Sequence, residues 1–413
     1  SLKLHGLDPD NERAIYRNTT YDMRRHKRLQ MFVHAERMPD DAGILQDGDL
    51  AIFFRMGSDY RDNYYEYEIP LKITPEGQYS THNPADREAV WPEENRFDFP
   101  LELLTGLKLE RNTDPDGESN SFSVAYSTSD PEKPDNRITI MGNPSLAEVS
   151  VMMIGIRNRS ENHRSAEVWV NELRLSEFDD QGGWAAQGEA QLALSDLGTV
   201  HFSGRKETVG FGALSQQLMQ RRNDDNQSFH FALNLELGRF LPKEAKISAP
   251  LYYAYSDQVS SPLYDPFNQD ILLSESIARA ETTLQRDSLQ QRAITHTTNK
   301  SFSLSNVRAN IKSDTPMPYD PANFSFTYAS NSYSHHNPQT EYAVTKNQRF
   351  QADYAYAPEV TLWEPFKKTK AIHIRPLPNH IQMRSNLTRN YQEKQLRDLN
   401  EQHPLTFGSS FLW

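Results

Sequence analysis

The chain contains no cysteine in 413 residues, which excludes a disulfide scaffold, thiol catalysis and cysteine-ligated zinc. That absence also suits an exported bacterial protein. No apolar run approaches the ~20 residues that a membrane-crossing helix needs. Only 37% of residues are hydrophobic, and mean hydropathy is −0.76. A helical membrane protein is thereby excluded, but a barrel is not, because its strands need only alternation. Surplus positive charge is missing too. With 44 basic against 56 acidic residues the net charge is −12, which disfavours a general electrostatic hold on nucleic acid. Ser1 stands where an initiator Met would be, no signal peptide is visible, and the chain stops inside an apolar run at Phe411-Leu412-Trp413. It therefore reads as an excised fragment.

Aromatics are plentiful, with 20 Phe and 19 Tyr, and Tyr, Asn, Gln, Ser and Thr dominate the second half. That composition belongs to polar-faced β-structure. Residues 1–29 are polar and charged and read as a lead-in segment. From Leu29 the pattern turns to β, with a dense apolar run at Leu50–Met56 and alternation through Tyr65, Tyr67, Ile69 and Leu71. Asp86–Arg111 is the main candidate helix, with Pro100 near a helix start. Short strands at Phe122–Ser127, Ile138–Met141, Val149–Ile156 and Val168–Leu175 complete one jelly-roll-like β-sandwich over 30–178.

The type of β-structure changes after Asp179-Asp180-Gln181-Gly182-Gly183. From 179 to 413 the strands lengthen and alternate strictly. Ala186, Gly188, Ala190, Leu192 and Leu194 share one face, and Gln187, Glu189 and Gln191 the other. A tight turn at Ser195-Asp196 leads to Val200, Phe202 and Gly204 alternating with His201, Ser203 and Arg205. Phe229, Phe231, Leu233, Leu235 and Leu237 then alternate with His230, Asn234 and Glu236. Connections read short, long, short, long, short, long. The largest spans 256–300 and carries a polar helix at Ser274–Arg292, and the last long one lies around His335-His336-Asn337-Pro338. Outer-membrane barrels connect strands this way, with short periplasmic turns and long outer loops. Trp184, Tyr252, Tyr253, Tyr255, Tyr354 and Tyr356 lie toward strand ends, where an aromatic girdle belongs. The expected fold is all-β: a soluble sandwich followed by antiparallel strands of a barrel section. Gln187, Glu189, Gln191, His201, Arg205, Asn234 and Glu236 would face the lumen. Leu192, Leu194, Phe202, Phe231, Leu233 and Leu235 would face lipid.

Catalytic and ligand-binding chemistry finds little support. His335 and His336 with Asp353 lack metal-ligand spacing, as do His373 and His380, and all read as polar loop residues. Asp40, Asp41, Asp47 and Asp49 lack the order of a calcium loop and read as a solvated face. Arg24–Arg28 reads as a solvated charge run. Thr208–Gly212 lacks the lysine and the strand–helix setting of a phosphate loop. Glu93-Glu94 cannot be told from surface acids, and no Ser, His and Asp stand in a catalytic setting. No cofactor and no enzyme are expected. Trp91, Trp169 and Trp184 read as packing residues rather than sugar platforms.

Several segments nevertheless carry a resemblance. They are Tyr21–Glu36 (YDMRRHKRLQMFVHAE), Gly57–Leu71 (GSDYRDNYYEYEIPL), Val90–Asn95 (VWPEEN), Val168–Ala185 (VWVNELRLSEFDDQGGWA), Asn234–Phe240 (NLELGRF), Pro250–Pro262 (PLYYAYSDQVSSP), Asn337–Tyr342 (NPQTEY) and Asn390–Leu399 (NYQEKQLRDL). In this order they resemble the SprA/Sov family, the outer-membrane translocon of Bacteroidota type IX secretion, which is also needed for gliding motility. The resemblance implies an internal section of a very large single-chain barrel. It implies as partners cargo proteins with type IX C-terminal signals, a PorV-like shuttle protein, a periplasmic plug and outer-membrane lipid, with no nucleic acid. It brings no catalytic residues. The alternative from another class is a secreted glycan-binding β-protein. A carbohydrate-active enzyme fits least, because no acid/base pair is legible.

Overall fold

The computed structural model describes residues 1–41, 43–113, 122–180, 182–217, 220–280, 282–358, 378–397 and 409–412. The chain divides into two units. One comprises Ser1–Gln181 with Phe267–Leu272, the other Gly182–Pro266 with Leu273–Trp413. No helix among the described residues is long and apolar enough to cross a membrane.

Unit 1 is built from β1 (Leu2–Leu7), β2 (Glu12–Tyr21), β3 (His26–Arg37), β4 (Leu50–Gly57), β5 (Tyr64–Pro70), α1 (Pro84–Val90), β6 (Phe97–Pro100), α2 (Glu102–Thr113), β7 (Tyr126–Ser129), β8 (Arg137–Met141), β9 (Val149–Asn158) and β10 (Arg164–Phe178). One sheet runs β1-β10-β3-β6 and the other β2-β9-β4-β5-β8-β7, every pair antiparallel. The chain crosses between the sheets repeatedly, so both contribute to one core. Leu29, Met31 and Val33 of β3, Phe97 and Phe99 of β6 and Val168 of β10 are sealed against Ile52 and Phe54 of β4, Tyr65 and Tyr67 of β5 and Ile140 of β8. Each such side chain contributes about 1.5–3 kcal/mol on leaving water. The Tyr67 and Phe99 rings stack across the sandwich at 4.0 Å.

Strand β4 is buried on both faces. Its outer face is covered by charge rather than by another sheet. Arg55 and Arg157 sit over the Phe53 ring at 5.1 and 4.9 Å. Arg55 Nε donates to Glu66 at 2.8 Å, and Glu68 forms ion pairs with Arg157, Arg159 and Arg137. Cation stacking and paired carboxylates let a charged surface close over an apolar strand without stranding a buried ion.

Three sequence expectations change here. Residues 1–29 carry β1 and β2, because the polar run holds an exposed edge strand whose side chains face water on both sides. The expected helix Asp86–Arg111 is α1, a 3₁₀ turn at Glu93–Asn95, strand β6 and then α2. Pro92 stops the first helix, and the Phe97/Phe99 alternation delivers two rings to the core. The helical stretch also ends later than expected, since α2 runs past Arg111 to Thr113.

Unit 2 is one antiparallel sheet. Its strands are β11 (Ala185–Ala193), β12 (Gly198–Glu207), β13 (Asp224–Glu236), β14 (Ile247–Ser248) and β15 (Pro250–Pro262), then β18 (Thr295–Ala309), β19 (Phe324–His336), β20 (Thr340–Tyr356), β21 (Ile381–Leu396) and β22 (Ser409–Leu412). Between β15 and β18 in sequence come the short strand β16 (Tyr264–Asp265), β17 (Asn268–Leu272), which belongs to unit 1, and the helices α3 (Leu273–Ala278) and α4 (Thr283–Ala293). The order is β11-β12-β13-β15-β18-β19-β20-β21-β22, with β14 beside β18, and the described strands do not close into a barrel. The helix expected at Ser274–Arg292 is split in two, and Thr282 caps the second part with Gln285 in a reciprocal capping box.

A two-faced sheet as the candidate functional site

Registers in unit 2 follow sequence neighbours, so face assignments carry from strand to strand. The β11–β12 turn sets the first register. Ser195 takes φ +52° and Gly198 φ +148°, and the Leu194 amide donates to the Gly198 carbonyl at 2.8 Å. A Cβ on Gly198 would lie 1.9 Å from the Asn234 carbonyl oxygen, so both the backbone angle and the close approach of β13 require glycine.

From that turn, Leu192 opposes Val200, Val200 opposes Leu233, Leu233 opposes Tyr253, and Tyr253 opposes Phe302. A neighbouring row runs from Leu235 through Leu251, Leu304, Tyr328 and Phe350 to Leu387. Same-face rings meet along the way, Phe202 with Phe231 at 5.1 Å and Phe302 with Tyr328 at 6.0 Å. The result is one apolar band that crosses β11, β12, β13, β15, β18, β19, β20 and β21. In β13 it spans Phe229 to Leu235, about 20 Å along the strand at ~3.4 Å per residue. Much of it is bare: Leu192 is 57% exposed, Phe326 47%, Phe350 44% and Leu387 68%.

The opposite face is polar. Gln187 opposes Arg205, Gln191 opposes His201 and Thr199 opposes Asn234. Further along, Ser301 Oγ donates to Asn331 at 2.9 Å. A hollow of about 450 Å³ on this face is lined by Gln187, Glu189, Ser203, Arg205, Ser228 and His230. Its side chains present donors and acceptors that water can satisfy.

On the apolar face the band gives way to polar residues toward one end of the strands. Tyr255 is followed by Asp257, which pairs with His296 at 2.7 Å, and the His296 ring meets His336 edge-on at 5.4 Å. Lys300 and Lys346 lie over the Tyr255 and Tyr391 rings, each at 5.8 Å. Aromatic rings with ammonium groups beside them, at the border of an apolar band, are what an interface between hydrocarbon and water favours.

The register puts Gln187, Glu189, Gln191, His201, Arg205, Asn234 and Glu236 on one face, and Leu192, Phe202, Phe231, Leu233 and Leu235 on the other. Leu194 is in the turn rather than in a strand. The Glu236 carboxylate bends back to accept from the amides of Ala249 at 2.6 Å and Gly238 at 3.3 Å, so it fastens the β13–β15 connection rather than lining an open wall. Of the girdle residues, Tyr252 is on the polar face, opposite Asn234 and Ser303. Tyr354 and Tyr356 hydroxyls donate to the Pro318 and Pro316 carbonyls and tie down the β18–β19 connection.

The short, long alternation expected from the sequence does not hold, because 237–249 and 310–323, expected short, are nearly as long as 208–223. Connections run 194–197, 208–223, 237–249, 263–294, 310–323 and then 337–339. The last was expected to be long. His335 and His336 are strand residues, and the Asn337 side chain closes a tight turn by accepting from the amides of Thr340 at 2.6 Å and Gln339 at 3.0 Å.

Other singled-out residues are spent locally. His335 bonds Thr297 at 2.9 Å, while Asp353 pairs with Arg384 at 2.6 Å and does not join the histidines. No group of three His, Asp or Glu side chains is gathered for a metal among the described residues. His373 lies outside the described residues. Asp40 pairs with His5, Asp41 and Asp49 with Arg164, and Asp47 accepts from the Ile73 amide. Arg24 pairs with Asp22 and Arg28 with Asp98. Glu94 pairs with Lys72. Trp91 and Trp169 both pack on the ring of buried His34, at 6.0 and 5.4 Å, and Trp184 belongs to unit 2.

Antiparallel β-structure throughout, with a two-faced sheet in its second unit, defines the class of protein. The SprA_N model, described as motility related/secretion protein, matches residues 1–277. The chain therefore belongs to this family of motility-related and secretion proteins. No curated protein matches it.

Proposed function

We propose that the unit 2 sheet is a section of the wall of an outer-membrane β-barrel, part of a protein-conducting pore that exports folded cargo. One observation carries this reading: a contiguous apolar band crosses the long sheet from its β11 edge to β21 and much of it is left bare, back to back with a polar face. Soluble monomers rarely leave so large an apolar patch open to water. A barrel wall needs this division, with lipid on the apolar side and a wet lumen on the other. Membership of a secretion and motility family agrees with that use. Gln187, Glu189, Gln191, His201, Arg205 and Asn234 then form a hydrated wall with little for passing protein to stick to. The open β11 edge is met by further strands of the same barrel, because an unpaired edge in hydrocarbon leaves amides and carbonyls without partners. Cargo with type IX C-terminal signals, a PorV-like shuttle and a periplasmic plug are the partners that accompany this reading, and the Bacteroidota outer membrane is its location.

The test uses the full-length parent. Membrane extraction should show detergent dependence, and planar bilayers should show a large, regulated conductance. Partition into the aqueous phase with binding to polysaccharide would overturn the pore in favour of the glycan-binding alternative.

A further inference from the structure

On the apolar face of unit 2, strand β19 departs from its neighbours. Phe324, Phe326 and Tyr328 belong to the band, but the next three residues on that face are Ser330, Ser332 and Ser334. Ser330 continues the row of Leu233, Tyr253 and Phe302, so a hydroxyl stands where the preceding strands place large apolar side chains. One row then crosses the middle of the sheet as a palindrome: Tyr255 of β15, Lys300 of β18, Ser332 of β19, Lys346 of β20 and Tyr391 of β21. Each lysine leans outward over its tyrosine ring, at 5.8 Å in both cases. The tyrosine hydroxyls donate to Asp257 and Glu393, one row further on at the level of Ser334. Asp257 also pairs with His296 and accepts from the Thr298 hydroxyl, and Glu393 accepts from Tyr342. Both carboxylates are thus engaged, and neither lysine forms an ion pair among the described residues. Lys300 and Lys346 are exposed, two strand spacings apart, about 10 Å between Cα atoms.

We propose that this palindromic row seats the phosphate of an anionic lipid headgroup, held between Lys300 and Lys346 above the serines of β19. The seat rests on the barrel-wall reading, because it needs lipid against this face. Two ammonium groups without carboxylate partners call for an anion, and each can donate to a different phosphate oxygen. The serine hydroxyls donate to the oxygens that remain. Against hydrocarbon alone those hydroxyls would lose their hydrogen bonds to water with nothing in return. Beyond Ser330 the face returns at once to rings: Tyr328 lies 6.0 Å from Phe302 and opposite Phe350. Acyl chains joined to a phosphate over Ser332 therefore continue onto the apolar band. That continuity selects a lipid rather than a free phosphate.

The experiment uses the full-length parent, purified in dodecyl maltoside and titrated with dioleoyl phosphatidic acid. Native mass spectrometry counts the bound lipid. Phosphatidic acid should bind saturably, and dioleoylglycerol, which has the same chains without the phosphate, should not displace it. Lys300→Gln/Lys346→Gln should weaken phosphatidic acid binding about tenfold or more, while Lys300→Arg/Lys346→Arg should retain it. Ser332→Leu should weaken binding too, yet assemble as the parent does, because leucine suits a lipid-facing strand. Variants are compared as heat-modifiable protein, so that only the assembled form is read. A detergent-dependent parent that binds both lipids alike, or ignores the lysine substitutions, overturns the phosphate seat and leaves the barrel wall standing. Displacement of phosphatidic acid by inorganic phosphate overturns the lipid assignment. A parent that stays soluble without detergent overturns the barrel wall, and the lipid seat with it.

Discussion

Lys108 Nζ lies 2.9 Å from the carboxylate of Asp270, although 162 positions separate them and their side chains are only 1% and 0% exposed. The Tyr65 hydroxyl donates to the other carboxylate oxygen at 2.7 Å, and the Leu146 amide to the same atom at 3.2 Å. Lys108 also donates to the Pro144 carbonyl at 2.8 Å. Burial, and then the neighbouring Asp270 carboxylate, push the Tyr65 phenol well above its ordinary range, so it stays a donor. This satisfied pair fastens the Phe267–Leu272 segment into unit 1. Removing one partner of such a pair costs about 3–5 kcal/mol, whereas replacing both with apolar residues is often nearly neutral. Chemical denaturation should therefore show Asp270→Leu strongly destabilised, with much of the loss recovered in Asp270→Leu/Lys108→Met. A double variant as unstable as the single one would show that the pair is not the source.

Asp59 governs the loop between β4 and β5 in a pH-dependent way. Its Oδ1 accepts from the amides of Arg61, Asp62 and Asn63, and its Oδ2 from the Asn63 side chain. Partial burial works against the charged form, but these hydrogen bonds outweigh it and hold the carboxyl at about 2, below the ordinary 3.8. The group thus stabilises the fold above pH 3.8, and its contribution fades as pH falls toward 2. Asp59→Ala should lose about 1 kcal/mol at neutral pH and approach the parent chain's stability near pH 2. Thermal unfolding measured across that window checks it, and a constant difference at all pH values would contradict the assignment.

The sandwich core was legible where a strand is buried, as in Leu50–Gly57, because burial on both faces leaves a dense apolar run. Strand β2 was not, since an edge strand exposed on both faces has the composition of a polar tail. The helix read across Asp86–Arg111 overlooked stop signals that were present, Pro92 and the Phe97/Asp98/Phe99 alternation. The polar ends of β19 and β20 read as a loop because His, Ser and Asn populate strands once they leave the apolar band. The two faces of the second sheet could be read from β11 onward, since period-two alternation fixes them. Asp270 carried no local signal at all, as its partners come from distant parts of the chain.

Gly198 makes the first turn of the sheet a sensitive point. A Cβ there meets the Asn234 carbonyl oxygen, and φ +148° is strained for any L side chain. Gly198→Ala should destabilise the β12–β13 pairing by about 1–3 kcal/mol, the cost of a residue held in a sparsely populated backbone region. Ser195→Gly, at φ +52°, should be neutral or mildly stabilising. Hydrogen exchange of the β12 amides would separate the two, with faster exchange confined to Gly198→Ala.

A charge scan along β13 tests the faces directly. Leu233 and Leu235 belong to the apolar band, while Asn234 between them points to the polar side, opposite Thr199 and Tyr252. If lipid covers the band, arginine at 233 or 235 must leave its charge in hydrocarbon, at a cost of roughly 2–4 kcal/mol near mid-membrane. Asn234→Arg keeps its charge in the wet lumen and should assemble close to normally. The readout is the amount of full-length parent that reaches the outer membrane in a heat-modifiable, protease-resistant form. Leu233→Arg and Leu235→Arg should fall sharply while Asn234→Arg persists. Equal tolerance at the three positions would remove the lipid from the apolar face, and with it the barrel wall.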